Sequence, residues 1–194
     1  MSSLNFDNSW KQVLVEWINQ ILSHQLFPGF KIGDLREENL IKEMEFHFPV
    51  NDVSLKGLLS IIREADEIDL NKEIVLSGFM KGFIDLIFRF ENKYYILDYK
   101  SNFLGNKIDE YKQVHLHEAI KSHNYDLQYH IYSVALIRFL KNRIPDFNYN
   151  KNFGGVYYLF LRGLENDTTD TGVYFDRPSY EVLKNLEYHI KGKS

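Results

Sequence analysis

Hydrophobic residues recur along the chain with two periods, and each period predicts one kind of element. In residues 8–24 they recur every three or four positions, which predicts a helix with one apolar face. That face consists of Trp10, Val13, Leu14, Trp17, Ile18, Ile21 and Leu22. The same spacing predicts three more helices, over residues 54–65, 125–143 and 179–190. Pro28 and Gly29 are expected to end the first helix, and Ser54 is expected to cap the second.

Strands are predicted where apolar and polar residues alternate, or where a short run is apolar throughout. Residues 40–48 form one such segment, which Pro49 is expected to end. Residues 78–90 and 94–100 alternate on either side of a short polar stretch, which predicts a hairpin. Two more strands are predicted over residues 153–161 and 173–175. The first of these is almost entirely apolar, which is typical of a strand buried on both faces.

The order of these elements predicts the fold class. Helix, strand, helix, hairpin, helix, strand and helix follow one another, which indicates an α/β fold with a mixed central sheet flanked by helices. No repeat, linker or low-complexity stretch divides the 194 residues, so they are expected to form a single domain. The chain has no cysteine, which excludes disulfides and thiolate metal sites.

Charge and hydropathy narrow the possible partners. The formal net charge is -4, so the chain lacks the global basic excess that attracts nucleic acid, and any site for a polyanion must be local. The first residues show no basic stretch followed by an apolar segment, and the longest apolar run, residues 156–161, is too short to cross a bilayer. We therefore expect a cytoplasmic protein with no membrane partner.

The first candidate catalytic residues are two aspartates and a lysine in the predicted hairpin. Asp85 and Asp98 lie within apolar strands, where an unpaired carboxylate is costly, and Lys100 projects from the same strand face as Asp98. If the hairpin loop is Glu91-Asn92, or any even number of residues centred there, Asp85 faces Asp98 across the ladder. An odd loop would place the two carboxylates on opposite faces.

Adjacent carboxylates repel, and either a shared proton or a divalent cation relieves the repulsion. Their hard oxygen atoms favour Mg²⁺ or Mn²⁺, with Lys100 orienting an attacking water or stabilising charge on a phosphorane. The alternative for Asp98 and Lys100 is an ordinary ion pair at a sheet edge, since D-x-K alone is a weak motif.

Side chains on two other elements extend this candidate site. Glu43 and Glu45 lie on one face of the preceding predicted strand and offer a further carboxylate, or else a solvated edge. Gln128 and Tyr132 stand four apart on a predicted helix, where they share a face and would hydrogen-bond a phosphate or a metal-bound water. The alternative is a core tyrosine beside a surface glutamine.

Four stretches of the sequence together resemble one nuclease family. These are residues 82–85 (GFID), 94–102 (YYILDYKSN), 125–132 (YDLQYHIY) and 153–163 (FGGVYYLFLRG). With twelve residues between the two aspartates, they resemble the RecB-like branch of the PD-(D/E)xK nucleases, the C-terminal nuclease domain of the RecB subunit of RecBCD enzymes. The resemblance covers nearly the whole chain and implies a restriction-endonuclease-like core.

The resemblance also implies an activity and partners. It implies Mg²⁺-dependent cleavage of linear single- and double-stranded DNA, of the exodeoxyribonuclease V type, in double-strand-break repair and homologous recombination. It further implies RecC and RecD subunits, a helicase motor and a docking surface for RecA. A catalytically silent module that docks RecA or RecBCD subunits is the alternative, and a restriction endonuclease is a third, weaker one.

Site residues follow from the resemblance position by position. It implies a catalytic set of Glu43, Asp85, Asp98, Lys100, Gln128 and Tyr132. Asp85 and Asp98 match the metal-binding aspartates, and Glu43 matches the family's strand glutamate better than Glu45 does. No residue is implied to bind an organic cofactor.

Two departures from the family pattern affect this interpretation. The family's first helix carries a GTxLH-like motif whose histidine is a metal ligand, and neither His24 nor His47 matches it. The chain also lacks a G-x-x-x-x-G-K-[ST] phosphate loop. Residues 1–194 are therefore expected to be a nuclease domain without that first helix and without the helicase motor. A local cationic surface for DNA is predicted from Lys81, Lys107, Lys112, Arg138, Lys141, Arg143 and Lys151.

Overall fold

A five-stranded mixed sheet forms the centre of the chain in the computed structural model, which describes residues 9–27, 30–64, 73–164 and 170–191. In chain order the helices and strands are α1 (Ser9–Ser23), β1 (Gln25–Phe27), β2 (Phe30–Lys31), β3 (Leu40–Ser54), α2 (Leu55–Arg63), β4 (Val75–Phe90), β5 (Lys93–Lys100), α3 (Gln113–Ser122), α4 (Tyr125–Lys141), α5 (Tyr149–Asn152), β6 (Phe153–Phe160), β7 (Val173–Asp176) and α6 (Tyr180–Lys191). The break predicted at Pro28 and Gly29, and Ala65 of the second predicted helix, lie outside the described residues.

The strands are ordered β3-β4-β5-β6-β7. β5 and β6 are parallel, and the other neighbouring pairs are antiparallel, which makes the sheet mixed as predicted. The predicted hairpin is β4 and β5. Its turn consists of Glu91 and Asn92, both with positive φ, which is the backbone of a two-residue turn that matches the twist of the strands.

One predicted strand boundary is wrong. β3 does not end before Pro49 but continues to Ser54, with Pro49 opposite Phe79 of β4. Proline has no N–H to donate to a neighbouring strand. It is tolerated here because β3 is an edge strand with no strand on its outer side, and Pro49 is exposed.

Each face of the sheet has its own core. Apolar residues of α2, α3, α4 and α6 pack on the first face, against Ile84, Ile96, Val156 and Tyr158 among others. The second face carries Leu26, Phe30 and Ile32 from the segment around β1 and β2, packed on a group of aromatic rings. β6 is buried at every position, as its apolar sequence predicts, because it lies between β5 and β7 with both faces covered.

The sequence analysis did not predict α3, α5 or the short strands β1 and β2, and it did not indicate how exposed α1 is. α5 has only four residues, and β1 and β2 have three and two, which are too few for a periodic pattern. α3 is absent from the predicted order because only Leu116, Ala119 and Ile120 of its ten residues are buried, which leaves a weak periodic signal. α1 forms as predicted, but its apolar face is largely uncovered, with Trp10 55% and Ile18 50% exposed. Ser54 caps α2 by accepting a hydrogen bond from the backbone of Gly57, also as predicted. Within the described part of the chain, none of the helices has the length and apolar character that a bilayer crossing requires.

Candidate active site

The hairpin register brings Asp85 and Asp98 to the same point of the sheet. Its two-residue turn is even, and the antiparallel pairing runs from Phe90 opposite Lys93 to Leu86 opposite Leu97. Asp85 and Asp98 are the next residues on each strand. There the Asp85 carboxylate accepts a hydrogen bond from the backbone N–H of Tyr99 at 3.1 Å. The even loop on which the parity argument depends is therefore confirmed, and the charge of Asp85 is close enough to raise the pKa of Asp98.

Asp98 and Lys100 form a buried ion pair. Their side chains are 2.5 Å apart between Nζ and Oδ2, and the two residues are only 3% and 9% exposed. Burial raises the pKa of Asp98 to about 6; the Lys100 ammonium opposes this rise, and the nearby charge of Asp85 adds to it. The Asp98 carboxylate is therefore an anion that a cation in addition to Lys100 would stabilise.

The Lys100 ammonium is held on three sides. It donates to Oε1 of Gln128 at 2.9 Å, and it lies 4.1 Å and 4.7 Å from the ring centroids of Tyr125 and Tyr158. Aromatic faces attract a cation, so these rings favour the charged lysine even though it is buried. The amine is consequently fixed beside Asp98 and not free to swing into solvent.

Gln128 and Tyr132 of α4 meet at this point, as the four-residue spacing predicts. The Gln128 amide donates to the Tyr132 hydroxyl at 2.8 Å, and its carbonyl oxygen also accepts from the Tyr158 hydroxyl at 2.8 Å. Burial raises the pKa of Tyr132 to about 12, and the charge of Asp98 contributes to this. Tyr132 therefore stays a phenol at neutral pH, with a proton to donate.

The structure separates the two candidate glutamates. Glu45 is ion-paired with Lys81 at 2.5 Å and with His47 at 3.0 Å, and its hydrogen bond with Lys81 is the main cause that lowers its pKa. Glu43 has a positive φ of 50°, which interrupts the strand's regular alternation. It lines a cavity of about 570 Å³ together with Asp85 and Tyr99. Of the two glutamates, Glu43 therefore shares a cavity with a candidate metal-binding residue, Asp85. Glu43 is also the better match to the family pattern.

The donor set has the chemistry of a Mg²⁺ site with few protein ligands. Among the described residues no group of three histidine, aspartate or glutamate side chains is placed to hold a metal ion. Mg²⁺ usually keeps several waters and binds through one or two carboxylates and substrate phosphates. Asp85 and Asp98 provide that number of carboxylates, so the residues present fit such an ion.

Neither candidate histidine joins this group. His24 follows α1 and is 1% exposed, and its backbone carbonyl accepts a hydrogen bond from Ile32. His47 lies on the outer face of β3, in its ion pair with Glu45.

Two tyrosines of the site were missed by the sequence analysis. Tyr158 is opposite Asp98 across the parallel pair of β5 and β6, a contact between residues about sixty positions apart that no local pattern reveals. Tyr125 did leave a signal, because it precedes Gln128 by three residues and therefore shares its helix face. Its hydroxyl donates to Asn102 at 3.1 Å, which ties the loop after β5 to α4.

The predicted DNA-binding cations do not share one environment. Arg138 is ion-paired with Glu187 of α6 at 2.8 Å and stacks on Phe48. It lies ten residues, or about 15 Å, along α4 from Gln128. Lys81 and Lys112 are engaged by Glu45 and Asp109. These three lysine and arginine side chains have structural partners of their own.

The chain is similar to RecB subunits from several bacteria. The chain is 41% identical to "RecBCD enzyme subunit RecB" of Escherichia coli (strain K12) over 96% of its own length. It is 37% identical to the proteins of that name in Haemophilus influenzae and Borreliella burgdorferi, over 95% and 93% of its length. The chain spans only 15% to 16% of the length of these curated relatives. No protein-family model matches it.

Proposed function

The chain belongs to the RecB family as the counterpart of one segment of those subunits, and on that premise we propose that it is a metal-dependent deoxyribonuclease. The observation that carries the proposal is the junction of Asp85, Asp98 and Lys100 at one end of the hairpin. An ion-paired aspartate with a pKa near 6, beside a second carboxylate, is a costly arrangement for stability alone. It is accounted for if the two carboxylates bind a cation.

Asp85 and Asp98 would hold Mg²⁺, with Mn²⁺ as a substitute. The bound ion supplies Lewis acidity toward a phosphodiester and lowers the pKa of water. The protein's own contribution is positional: Gln128 and the rings of Tyr125 and Tyr158 fix the Lys100 ammonium beside Asp98. From there Lys100 orients the attacking water or offsets the negative charge that develops on the phosphorane.

Glu43 and Tyr132 border the same site. Glu43 shares a cavity with Asp85 and provides a further carboxylate for a second-shell water or for the cation. Tyr132 keeps its phenol proton and is oriented by Gln128, so it donates a hydrogen bond toward a phosphate oxygen. These two roles complete the proposed catalytic set.

The biological setting is part of the proposal. The relatives are named as subunits of RecBCD enzymes, which supports DNA as substrate and RecC and RecD as partner subunits. A helicase motor that feeds the strand rests on the sequence resemblance alone. The role is DNA repair and recombination in the cytoplasm, with RecA docking as a further function of the same unit.

A silent docking module is the second candidate function. One observation favours it: the apolar face of α1 is largely uncovered. Calorimetric titration with Mn²⁺ separates the two. A binding heat that disappears in Asp98→Ala supports the nuclease, whereas no heat with the wild-type chain supports the docking module.

The decisive assay is degradation of end-labelled linear single- and double-stranded DNA with and without Mg²⁺. We expect cleavage that needs the metal and is lost in Asp98→Ala. Asp146→Ala is the matched control, because Asp146 is an exposed aspartate between α4 and α5. Circular dichroism checks that both variants are folded. A folded Asp98→Ala protein that cleaves normally would overturn the assignment.

A further inference from the structure

The loop that follows Lys100 is anchored on both sides of a single exposed aromatic residue. Before it, Asn102 accepts a hydrogen bond from the Tyr125 hydroxyl at 3.1 Å. After it, the backbone N–H of Leu104 donates to the Tyr111 hydroxyl at 3.2 Å, and Leu104 packs against the core. Between these two anchors Phe103 is 60% exposed. The loop thus presents this ring to solvent from a fixed position.

An exposed phenylalanine costs the free energy that its burial would recover, and scattered single cases need no explanation. Phe103 differs in its position and its neighbours. It lies three residues after Lys100, at the end of β5. Beside it, Arg162 follows the end of β6, so both side chains emerge where these two parallel strands finish. An apolar ring is therefore held out at the margin of the candidate active site.

Arg162 is oriented toward this ring. Its Nε donates to the backbone carbonyl of Ser101 at 3.1 Å, and its guanidinium carbon lies 5.9 Å from the centroid of Phe103. The next residue is Gly163, where a side chain would place Cβ 2.4 Å from the buried Tyr111 ring. The backbone next to Arg162 therefore packs directly on Tyr111, the residue that anchors Leu104.

Phe103, Arg162 and Lys107 line one solvent-open cavity of about 380 Å³. Its chemistry is an aromatic face with two cationic side chains. The adjacent acidic residues have other partners: Asp109 pairs with Lys112, and the Glu110 carboxylate accepts from the backbone of Lys107. A flat ring next to positive charge is the combination that binds single-stranded nucleic acid, by stacking on a base and attracting its phosphates.

We propose that Phe103, with Arg162 and Lys107, is a stacking platform for one unpaired nucleotide of the strand to be cut. The base lies on the Phe103 ring, and the flanking phosphates lie near the two cations. The inference rests on the proposed nuclease function, and it makes Phe103 a positioning residue that places the strand relative to Lys100. Paired bases hide their faces, so a duplex gains nothing from this ring.

The test measures binding without cleavage. Fluorescein-labelled oligo-dT, the same strand with abasic sites, and a duplex of equal length are titrated with the full chain in EDTA, and anisotropy is recorded. We expect Phe103→Ala to weaken oligo-dT binding about tenfold, from the usual energy of base stacking on an aromatic ring. We expect Phe103→Trp to bind oligo-dT as tightly as the wild-type chain does, because tryptophan keeps an aromatic face. Binding of the abasic strand and of the duplex is unchanged by either variant.

Two control variants assign the effect to stacking. Tyr188→Ala removes an exposed aromatic from α6, next to Glu187 and remote from Gln128, and leaves all three affinities unchanged. Arg162→Ala weakens the oligo-dT and abasic strands equally and lowers the salt dependence, as loss of a phosphate contact does.

Several results would overturn the proposal. Equal loss on the abasic strand or the duplex would mean that Phe103 acts through loop structure or phosphates. Unchanged oligo-dT affinity in Phe103→Ala, or no binding by the wild-type chain, would refute the stacking role. Because no divalent metal is present, these outcomes are independent of whether the chain cleaves DNA.

Discussion

Two buried ion pairs lie near the beginning of α4, and they are built differently. Asp98 and Lys100 meet on β5 below Gln128, whereas Arg63 at the end of α2 meets Asp126 in the first turn of α4. Both acids are almost wholly buried. The comparison shows which of the two pairs is complete within the protein.

The pair of Arg63 and Asp126 is saturated. Arg63 donates from two nitrogens to the two carboxylate oxygens, at 2.6 Å and 3.0 Å, and Asp126 also accepts from the backbone N–H of Leu127. Nη2 of Arg63, one of these two nitrogens, also donates to the side-chain oxygen of Asn124 at 2.8 Å. The hydrogen bond with Asp126 raises the pKa of Arg63. Such a pair fixes α2 against α4, and both oxygens of the Asp126 carboxylate are engaged within the protein.

The pair of Asp98 and Lys100 is unsaturated by the same measure. The Lys100 ammonium makes a single contact with Asp98, whereas a guanidinium can donate to both carboxylate oxygens. The pKa of Asp98 stays raised because this contact does not fully offset the burial of the carboxylate. A carboxylate that the protein leaves under-stabilised is suited to a cation from solution. This is the difference we expect between Asp126, an aspartate that joins two helices, and Asp98, an aspartate of the proposed metal site.

The largest effect expected from this comparison is on stability. Asp126→Asn leaves the Arg63 guanidinium without its charge partner, and we expect a loss of about 3 kcal/mol in the free energy of unfolding. Asp98→Asn removes the charge partner of Lys100 but relieves repulsion with Asp85, and Lys100 keeps Gln128 and two aromatic rings as partners. We therefore expect stability to change by less than about 1 kcal/mol. Urea denaturation of both variants measures the contrast, and equal losses would refute it.

The second prediction concerns pH in metal-free protein. Folded Asp98 has a pKa of about 6 against 3.8 unfolded, so the folded state binds this proton more tightly. Its contribution to stability is full below pH 3.8 and is lost as pH rises through 6. Relative to Asp98→Asn, the wild-type chain should gain up to about 3 kcal/mol between pH 8 and pH 4. A difference between the two proteins that does not vary with pH would contradict the raised pKa.

The third prediction separates chemistry from folding. Lys100→Gln should slow single-turnover cleavage about 100-fold, or about 2.7 kcal/mol, while Mn²⁺ affinity is retained because Asp85 and Asp98 remain. Arg63→Gln is the matched change in the saturated pair, and it should lower stability without altering the rate per folded molecule. Parallel loss of Mn²⁺ affinity and rate in Lys100→Gln would mean that Lys100 is structural.

The smallest effect should come from His130, which belongs to the saturated region. Its Nδ1 contacts the Asp126 carbonyl at 2.7 Å, and burial lowers its pKa, although that carbonyl and the charges of Asp176 and Asp126 oppose the shift. The unfolded chain therefore takes up this proton first as pH falls through 6.5. Between pH 7 and pH 5 the His130→Gln variant should lose less stability than the wild-type chain. The His130 side chain thus makes the folded state less stable as pH falls, whereas Asp98 makes it more stable. Thermal melts across this range test the sign.

Local patterns were sufficient for the hairpin and for the positions of several candidate site residues. The strand alternation and the polar turn predicted both strands, and counting across an even loop placed Asp85 opposite Asp98. The four-residue spacing of Gln128 and Tyr132 predicted their contact. These inferences succeeded because each depends only on the period of one element or on one tight turn.

Features that depend on strand order could not be obtained this way. Tyr158 reaches Lys100 only because β6 pairs in parallel with β5, and Arg63 reaches Asp126 only because α2 packs on α4. The expected strand end at Pro49 failed for the same reason, since an edge position tolerates proline and edge status is a property of the whole sheet.

The parallel pairing of β5 and β6 also sets the order in which the site is assembled. The hairpin of β4 and β5 closes through a two-residue turn, which is a microsecond event in isolated chains. β6 arrives after α3, α4 and α5, and long-range parallel pairing of this kind forms slowly. Asp85, Asp98 and Lys100 all precede Tyr158 in the chain, so the ribosome makes the charged residues of the site before one of the two rings that enclose the lysine. We therefore expect the charges to come together before Lys100 acquires its final surroundings.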